Sequence, residues 1–250
     1  MNRSREEIEN QAYKTFIGQM LEKNEAEFCP MRKEKQMDYL FTMLAEDFET
    51  KGRRVLDACC GYGRLIHFLN EYDPDQEYVG IDYVPLLIAQ ARVHFAESEN
   101  IRFEERDVMK LADYYGKEFS IAINYKTLSW LSYYETLVDQ LVKVTKDKIY
   151  ITSLFYDGPY DFISKIYDCS QSGSDSYSYL NTYSYPKFQR FCKALGVKEV
   201  NAIDMKLDFD LPKPADRSVL QTFTVLTAEG SRLEMTGVIG LNWKLIQLVL

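Results

Sequence analysis

Three aspartates, Asp57, Asp82 and Asp107, each stand at or near the end of a short apolar run, and two glycines, Gly61 and Gly63, follow the first. Asp82 comes 19 residues after Gly63 and closes the run "YVGID". A carboxylate placed there can accept two hydrogen bonds from the vicinal hydroxyls of a ribose, which points to an adenosine-containing cofactor. The turn "CCGYG" brings backbone close to a ligand, because a Cβ at Gly61 or Gly63 would fill ligand space or strain the turn. It is not a dinucleotide fingerprint. Ile66 stands where a third glycine is needed for close helix–strand packing, and Asp57 would set an anion beside a pyrophosphate. Asp57 suits a cationic group instead.

Alternating strands and helices must carry these residues to one rim. "RRVLDA" reads as a first strand, and Leu65, Phe68, Leu69 and Tyr72 mark one face of the helix after it. "YVGID", "IRFEERD", "FSIAINY" and "KIYITSLF" read as strands two to five. Pro85 opens the second crossover helix, lined by Leu87, Ala91 and Phe95, and Tyr134, Leu137, Leu141 and Val144 mark another. Five alternations predict a doubly wound α/β fold with a mostly parallel sheet, whose ligands lie at the carboxyl ends of the strands.

The flanks read differently. Residues 1–50 predict a helical cap: Tyr13, Ile17, Met20 and Leu21, then Met37, Leu40, Met43 and Leu44, follow helix spacing on either side of Pro30. Residues 51–250 form the main domain. Within it, 156–185 holds seven tyrosines and no clear period, and predicts an inserted loop or small cap. Ser184 caps a further helix with Pro186 in its first turn, Phe188, Phe191 and Leu195 facing inward and Gly196 ending it. The C-terminal stretch predicts a β-hairpin around "AEGS" and a closing strand from Trp243.

Composition excludes some classes. The net charge of −8, with no basic run, disfavours nucleic acid as the main partner. Five cysteines, two of them adjacent and none in a C-x-x-C pair, make neither a disulfide framework nor a zinc ligand set. Reduced thiols and a cytoplasmic location follow as expectations, with no signal peptide in "MNRSREEIENQ", no membrane span and no metal. The oligomeric state is not legible.

In these segments the sequence resembles the class I S-adenosylmethionine-dependent methyltransferase family. "VLDACCGYGRL" resembles its first motif, "YVGIDYVPLLIAQAR" its second-strand motif, "RFEERDVMKL" its third, and "FSIAINYKTLSWL" and "YITSLF" its fourth and fifth strands. The resemblance implies a Rossmann-like, seven-stranded sheet and S-adenosyl-L-methionine as cofactor, with S-adenosyl-L-homocysteine as product. By position it implies that Asp57, Cys59, Gly61 and Gly63 hold the methionine part. Asp82 would bind the ribose with Tyr83 on the adenine, Asp107 and the Val108 backbone would read the adenine edge, and Asn124 would line the sulfonium. Cys59 departs from the pattern, standing where the family has glycine.

Methyl transfer from a sulfonium needs positioning more than a base. His67 and His94 lie in crossover helices and read as structural. Asp157 and Tyr125, after strands five and four, are the candidate catalytic side chains. Asn124-Tyr125-Lys126-Thr127 lacks the prolines of enzymes that methylate exocyclic base amines. The expected acceptor is therefore a small molecule, a sugar or other polar metabolite methylated on oxygen or nitrogen. A cofactor-binding protein without transfer and a nicotinamide-dependent oxidoreductase stand as alternatives.

Overall fold

A computed structural model describes residue 31 and residues 33–167, 177–215 and 221–250. The helix expected around Tyr13, Ile17, Met20 and Leu21, and the break at Pro30, lie outside the described residues, as do Cys29 and Cys169.

Five strands and the helices between them come in the order expected. They are β1 (Arg54–Ala58), α2 (Arg64–Tyr72), β2 (Glu77–Asp82), α3 (Pro85–His94), β3 (Ile101–Glu105), the short α4 (Leu111–Tyr114), β4 (Phe119–Tyr125), α5 (Glu135–Val144) and β5 (Thr145–Tyr156). Ahead of them stands α1 (Met37–Leu44). After β5 come β6 (Lys165–Tyr167), β7 (Tyr177–Tyr179), β8 (Tyr183–Ser184), α6 (Tyr185–Ala194), β9 (Glu199–Asp204), β10 (Thr222–Leu226), β11 (Arg232–Thr236), β12 (Ile239–Leu241) and β13 (Trp243–Val249).

The main sheet runs β3-β2-β1-β4-β5-β13-β9, with β8 added beside the end of β5. The first five are mutually parallel, and β13 enters antiparallel between β5 and β9. This is the Rossmann-like methyltransferase fold. Order reverses between β1 and β4, so a crevice opens at the carboxyl ends of those strands. Because β13 runs the other way, its first residues, Trp243 and Lys244, arrive at that same rim.

Both sheet faces are covered, which is why the central strands are apolar throughout. On one face, Val55, Ile121, Ile123, Tyr150 and Leu245 pack under α1, α2 and α3. On the other, Leu56, Ala122, Ile149 and Ile246 pack under α5 and α6. Met37, Leu40 and Leu44 of α1 are fully buried, so this helix belongs to the core. Each such side chain contributes about 1.5–3 kcal/mol on burial.

The structure adds detail to two expectations about the flanks. The C-terminal hairpin around "AEGS" is β10 with β11, and β12 extends it to a three-stranded antiparallel sheet. Thr236 pairs directly with Ile239, and Gly237, at φ 58°, takes the first central position of the two-residue turn between them. Glycine there suits a type II′ hairpin, so "TGVI" is a turn signal that the sequence reading passed over. The tyrosine-rich stretch contains a small antiparallel pair, β6 with β7, and its Asn181 accepts from Ser164 N and donates to Leu131 O. The capped helix is as expected: Ser184 Oγ accepts from Lys187 N at 3.2 Å, at the start of α6.

Gly63 fixes the approach of α2 to the sheet. It sits at φ 87° as the helix's N-cap, and an added Cβ would lie 2.6 Å from Phe103 Cζ and 2.9 Å from Phe95 Cε2. Both conformation and space demand glycine. Gly63→Ala is expected to cost about 2–4 kcal/mol of stability, read as a shifted urea midpoint at unchanged m-value.

Candidate active site

The first turn after β1 is built by backbone constraint. Cys59 and Cys60 both donate their N–H to Ile81 O, at 2.8 and 3.0 Å, which ties the turn to the end of β2. Cys59, Gly61 and Gly63 then take left-handed φ values of 68°, 58° and 87°. Unlike at Gly63, a Cβ added at Gly61 would meet nothing within 4 Å, so it would project into open space at the rim. Tyr62 and Tyr83 border that space and pack against Val84 and Leu87.

Asp82 crosses from one turn to the next. Its Oδ2 accepts from Gly61 N and its Oδ1 from Val84 N, both at 3.0 Å. Each carboxylate oxygen keeps a second lone pair for a ligand. Asp107 lies beyond the end of β3 and accepts from Met109 N at 2.9 Å, capping a short 3-10 turn that begins at the buried Val108. The carboxyl ends of β1, β2 and β3 therefore bring Asp57, Asp82 and Asp107 to a common rim.

Asp57 is the least compensated of the three. It is 2% exposed, and its Oδ2 has no hydrogen-bond partner. Burial, reinforced by the nearby Asp82 carboxylate, pushes its pKa up to about 8. Burial raises Asp82 as well, while the Val84, Gly61 and Tyr83 N–H groups pull it back. Among the described residues neither acid forms an ion pair. A buried carboxylate with a free oxygen, beside a turn open at Gly61, fits an ammonium group carried on a nucleoside.

Asn124 is fully buried at the end of β4. Its Nδ2 donates to Ala58 O at 2.9 Å and to Thr127 Oγ1 at 2.6 Å. Asn124 thus braces β4 against the first turn, and its own Oδ1 is left unpartnered.

The two candidate catalytic side chains are both engaged. Asp157, largely exposed, pairs with Lys244 at 3.2 Å, and Lys244 also pairs with Asp204. Tyr125 is buried and donates to Glu34 Oε2 at 3.2 Å. Burial, together with that carboxylate, raises the phenol far above its ordinary value, so Tyr125 stays protonated. His67 faces Glu71 at 3.3 Å and packs edge-on against His94, away from these acids.

Sequence reading placed Lys126 beside Tyr125 on the acceptor side but missed Glu34, Arg64, Trp243 and Glu234. Glu34 receives hydrogen bonds from Arg64 and Lys126, both at 2.5 Å, and the Lys126 ammonium lies 4.9 Å from the centre of the Trp243 ring. Position after Gly63 was the one available signal for Arg64. Nothing local in sequence announces the others.

Sheet order and switch point together define a Rossmann-like methyltransferase fold. Residues 55–148 match the family described as Methyltransferase domain. The chain is 41% identical over 68 residues to a demethylmenaquinone methyltransferase of Deinococcus radiodurans, a match covering 27% of this chain and 28% of that protein. The match thus spans little more than a quarter of that relative's length. The fold is similar to that of YcgJ of Bacillus subtilis, with a TM-score of 0.53 at 16% identity over 85% of this chain and 98% of that one. It is also similar to magnesium protoporphyrin IX methyltransferase of Synechocystis PCC 6803 with bound S-adenosylmethionine. There the TM-score is 0.53 at 13% identity over 86% of this chain and 78% of that one. Among the described residues no helix is long and apolar enough to cross a membrane, and no cluster of His, Cys, Asp or Glu could hold a metal ion.

The raised Asp57 pKa has two measurable consequences. The folded chain holds this proton up to about pH 8, whereas the unfolded chain releases it near pH 4. Between those values the folded state binds more protons, so stability falls as pH rises. Asp57→Asn is expected to remove that slope and to stabilise the chain at pH 8 by about 2 kcal/mol, the scale of an unpaired buried polar group. An ammonium ligand needs the carboxylate form and so expels the proton. Calorimetric affinity for S-adenosylhomocysteine is expected to rise from pH 6 to pH 7.5, by at most about tenfold per unit. Affinity for 5′-methylthioadenosine, which lacks the ammonium, should stay level.

Cys59 carries a side chain in a conformation that costs an L-residue about 1–2 kcal/mol. Cys59→Gly is expected to stabilise the chain by about 1 kcal/mol in urea titration, and Cys59→Val to destabilise it.

Proposed function

We propose that this protein transfers a methyl group from S-adenosylmethionine to a small, polar acceptor, on oxygen or nitrogen. The observation that carries the proposal is the unpaired, buried Asp57 carboxylate one strand away from Asp82, beside the open face of Gly61. In this reading Asp57 takes the ammonium of the cofactor, with Gly61 giving its chain room and Gly63 setting the approach of α2. Asp82 takes the ribose hydroxyls, Tyr62 and Tyr83 flank the adenine, and Asp107 with the Val108 backbone reads the adenine edge. The bound cofactor supplies a methyl group already activated by the positive charge on sulfur.

The chain's own part is then placement and exclusion of water. Asn124, itself bonded to Thr127, holds the Cys59 turn against β4, so the reacting end of the pocket is braced on two strands. Acceptors enter over the ends of β4, β5 and β13, where the exposed Tyr156 and Tyr160 and the Glu34–Lys126 cluster stand. Tyr125 acts there as a hydrogen-bond donor and Asp157 through its pair with Lys244. Transfer proceeds by positioning, with the acceptor's nucleophile already in its reactive form.

The test is transfer of labelled methyl from S-adenosylmethionine to a panel of hydroxy, amino and carboxylate metabolites, with calorimetry alongside. Wild type is expected to label a small molecule, and Asp82→Ala to lose at least tenfold in affinity for S-adenosylhomocysteine. Tight binding without labelling of any acceptor would favour a cofactor-binding role, and binding of NAD in place of S-adenosylhomocysteine would overturn the reading.

A further inference from the structure

Glu34 is held as a ligand would be held. It precedes α1, in a stretch that is neither helix nor strand, yet its carboxylate receives donors from two separate parts of the rim. Arg64 Nη2 donates to Oε1, while Lys126 Nζ and the Tyr125 hydroxyl donate to Oε2. Burial alone would raise the Glu34 pKa, but Lys126 and Arg64 outweigh it and hold the group below its ordinary value. Its charge is therefore permanent at neutral pH, which suits a counter-ion and not a base.

The donors themselves are preset. Lys126 is, with Cys59, one of two non-glycine residues with left-handed φ among the described residues, and its N–H donates to Thr152 O at 2.9 Å. Strain of that kind marks a position fixed for a reason other than local preference. Arg64 follows Gly63 directly. Tyr125 stands on the same sheet face as Asp57, two residues nearer the rim than Ile123, with which Asp57 is in register. The cluster thus adjoins Asp57 on the β4 side, and the Trp243 and Tyr125 rings flank the lysine. Gln36 and Glu234, both buried, close its far wall through the Gln36 amide, 3.1 Å from Glu234 Oε1.

We propose that Arg64, Lys126 and Tyr125 form a carboxylate subsite for this reaction, and that Glu34 occupies it as an internal stand-in until a ligand carboxylate replaces it. The inference rests on the transferase reading given above. Exchanging one carboxylate for another leaves every donor satisfied and the charge count unchanged, so displacement carries no desolvation penalty for Arg64 or Lys126. The adjoining aromatic rings suit an acid with a flat apolar body. Two carboxylates of the reaction have the required chemistry, that of the acceptor and that of the cofactor's amino-acid end. The position over β4 and β13, beyond Asp57 from the nucleoside, favours the acceptor.

The experiment is calorimetry with benzoate, and with benzamide as its neutral counterpart, on the full chain with and without saturating S-adenosylhomocysteine. Glu34→Ala is expected to bind benzoate at least tenfold tighter than wild type, with benzamide unchanged. Adding Lys126→Met to that variant should cancel the gain. Glu34→Gln, nearly the same in shape, should give a smaller gain and serves if the alanine variant melts without cooperativity. A gain abolished by S-adenosylhomocysteine, which itself then binds Glu34→Ala more tightly while 5′-methylthioadenosine does not, assigns the subsite to the cofactor's carboxylate. No gain for benzoate in either condition, in a cooperatively folded Glu34 variant, overturns the proposal. Failure of wild type to bind S-adenosylhomocysteine would instead overturn the transferase reading, and benzoate binding to the free chain would still report on the subsite.

Discussion

Two carboxylates buried at the ends of neighbouring strands, with no ion pair to either among the described residues, are the constraint around which this molecule is organised. Asp57 and Asp82 repel each other and are both starved of water, which is why burial and mutual charge drive Asp57 so far from its ordinary range. A fold tolerates such a pair only if the rest of the structure holds it in place. Here the holding is done by backbone. Cys59 and Cys60 bond to Ile81 O, Gly61 and Val84 bond to Asp82, and Asn124 reaches across to Ala58 O. The chain carries this arrangement at a cost to its own stability.

The sheet makes the pair unavoidable. Parallel register sets Ala58 beside Ile81 and Asp57 beside Gly80, so the two turns leave the sheet side by side. Gly80 has its own part in this. An added Cβ there would lie 2.6 Å from the Phe103 ring and 2.9 Å from Cys60 Sγ, so the small residue lets Phe103 slide beneath the first turn. Strand three thereby supports the turn of strand one from across the intervening strand.

Legibility in the sequence followed the range of the interaction involved. Alternation of strand and helix between Arg53 and Phe155 is local, and it was readable because short apolar runs alternate with segments of helical period. Asp57, Asp82 and Asp107 were readable because they stand at or near the ends of those runs. The three-stranded C-terminal sheet was half visible: its first turn carries "AEGS", while its second depends on Gly237 alone. The Glu34 cluster was half visible. Tyr125 and Lys126 stood out after strand four, but Glu34 and Arg64, which join them, look like ordinary surface charges until the fold converges them. Asp157 shows the reverse case, a well-placed acid whose partner, Lys244, arrives from a strand nearly ninety residues later.

The thiols in the first turn have a chemical consequence of their own. An alkylating sulfonium held against Cys59 and Cys60 would be a hazard if either sulfur were a thiolate, since that is the nucleophilic form. Burial raises both thiols, and the surrounding aspartates raise them further. Both sulfurs therefore stay protonated at neutral pH, and the acids around them hold the loop in its least nucleophilic form.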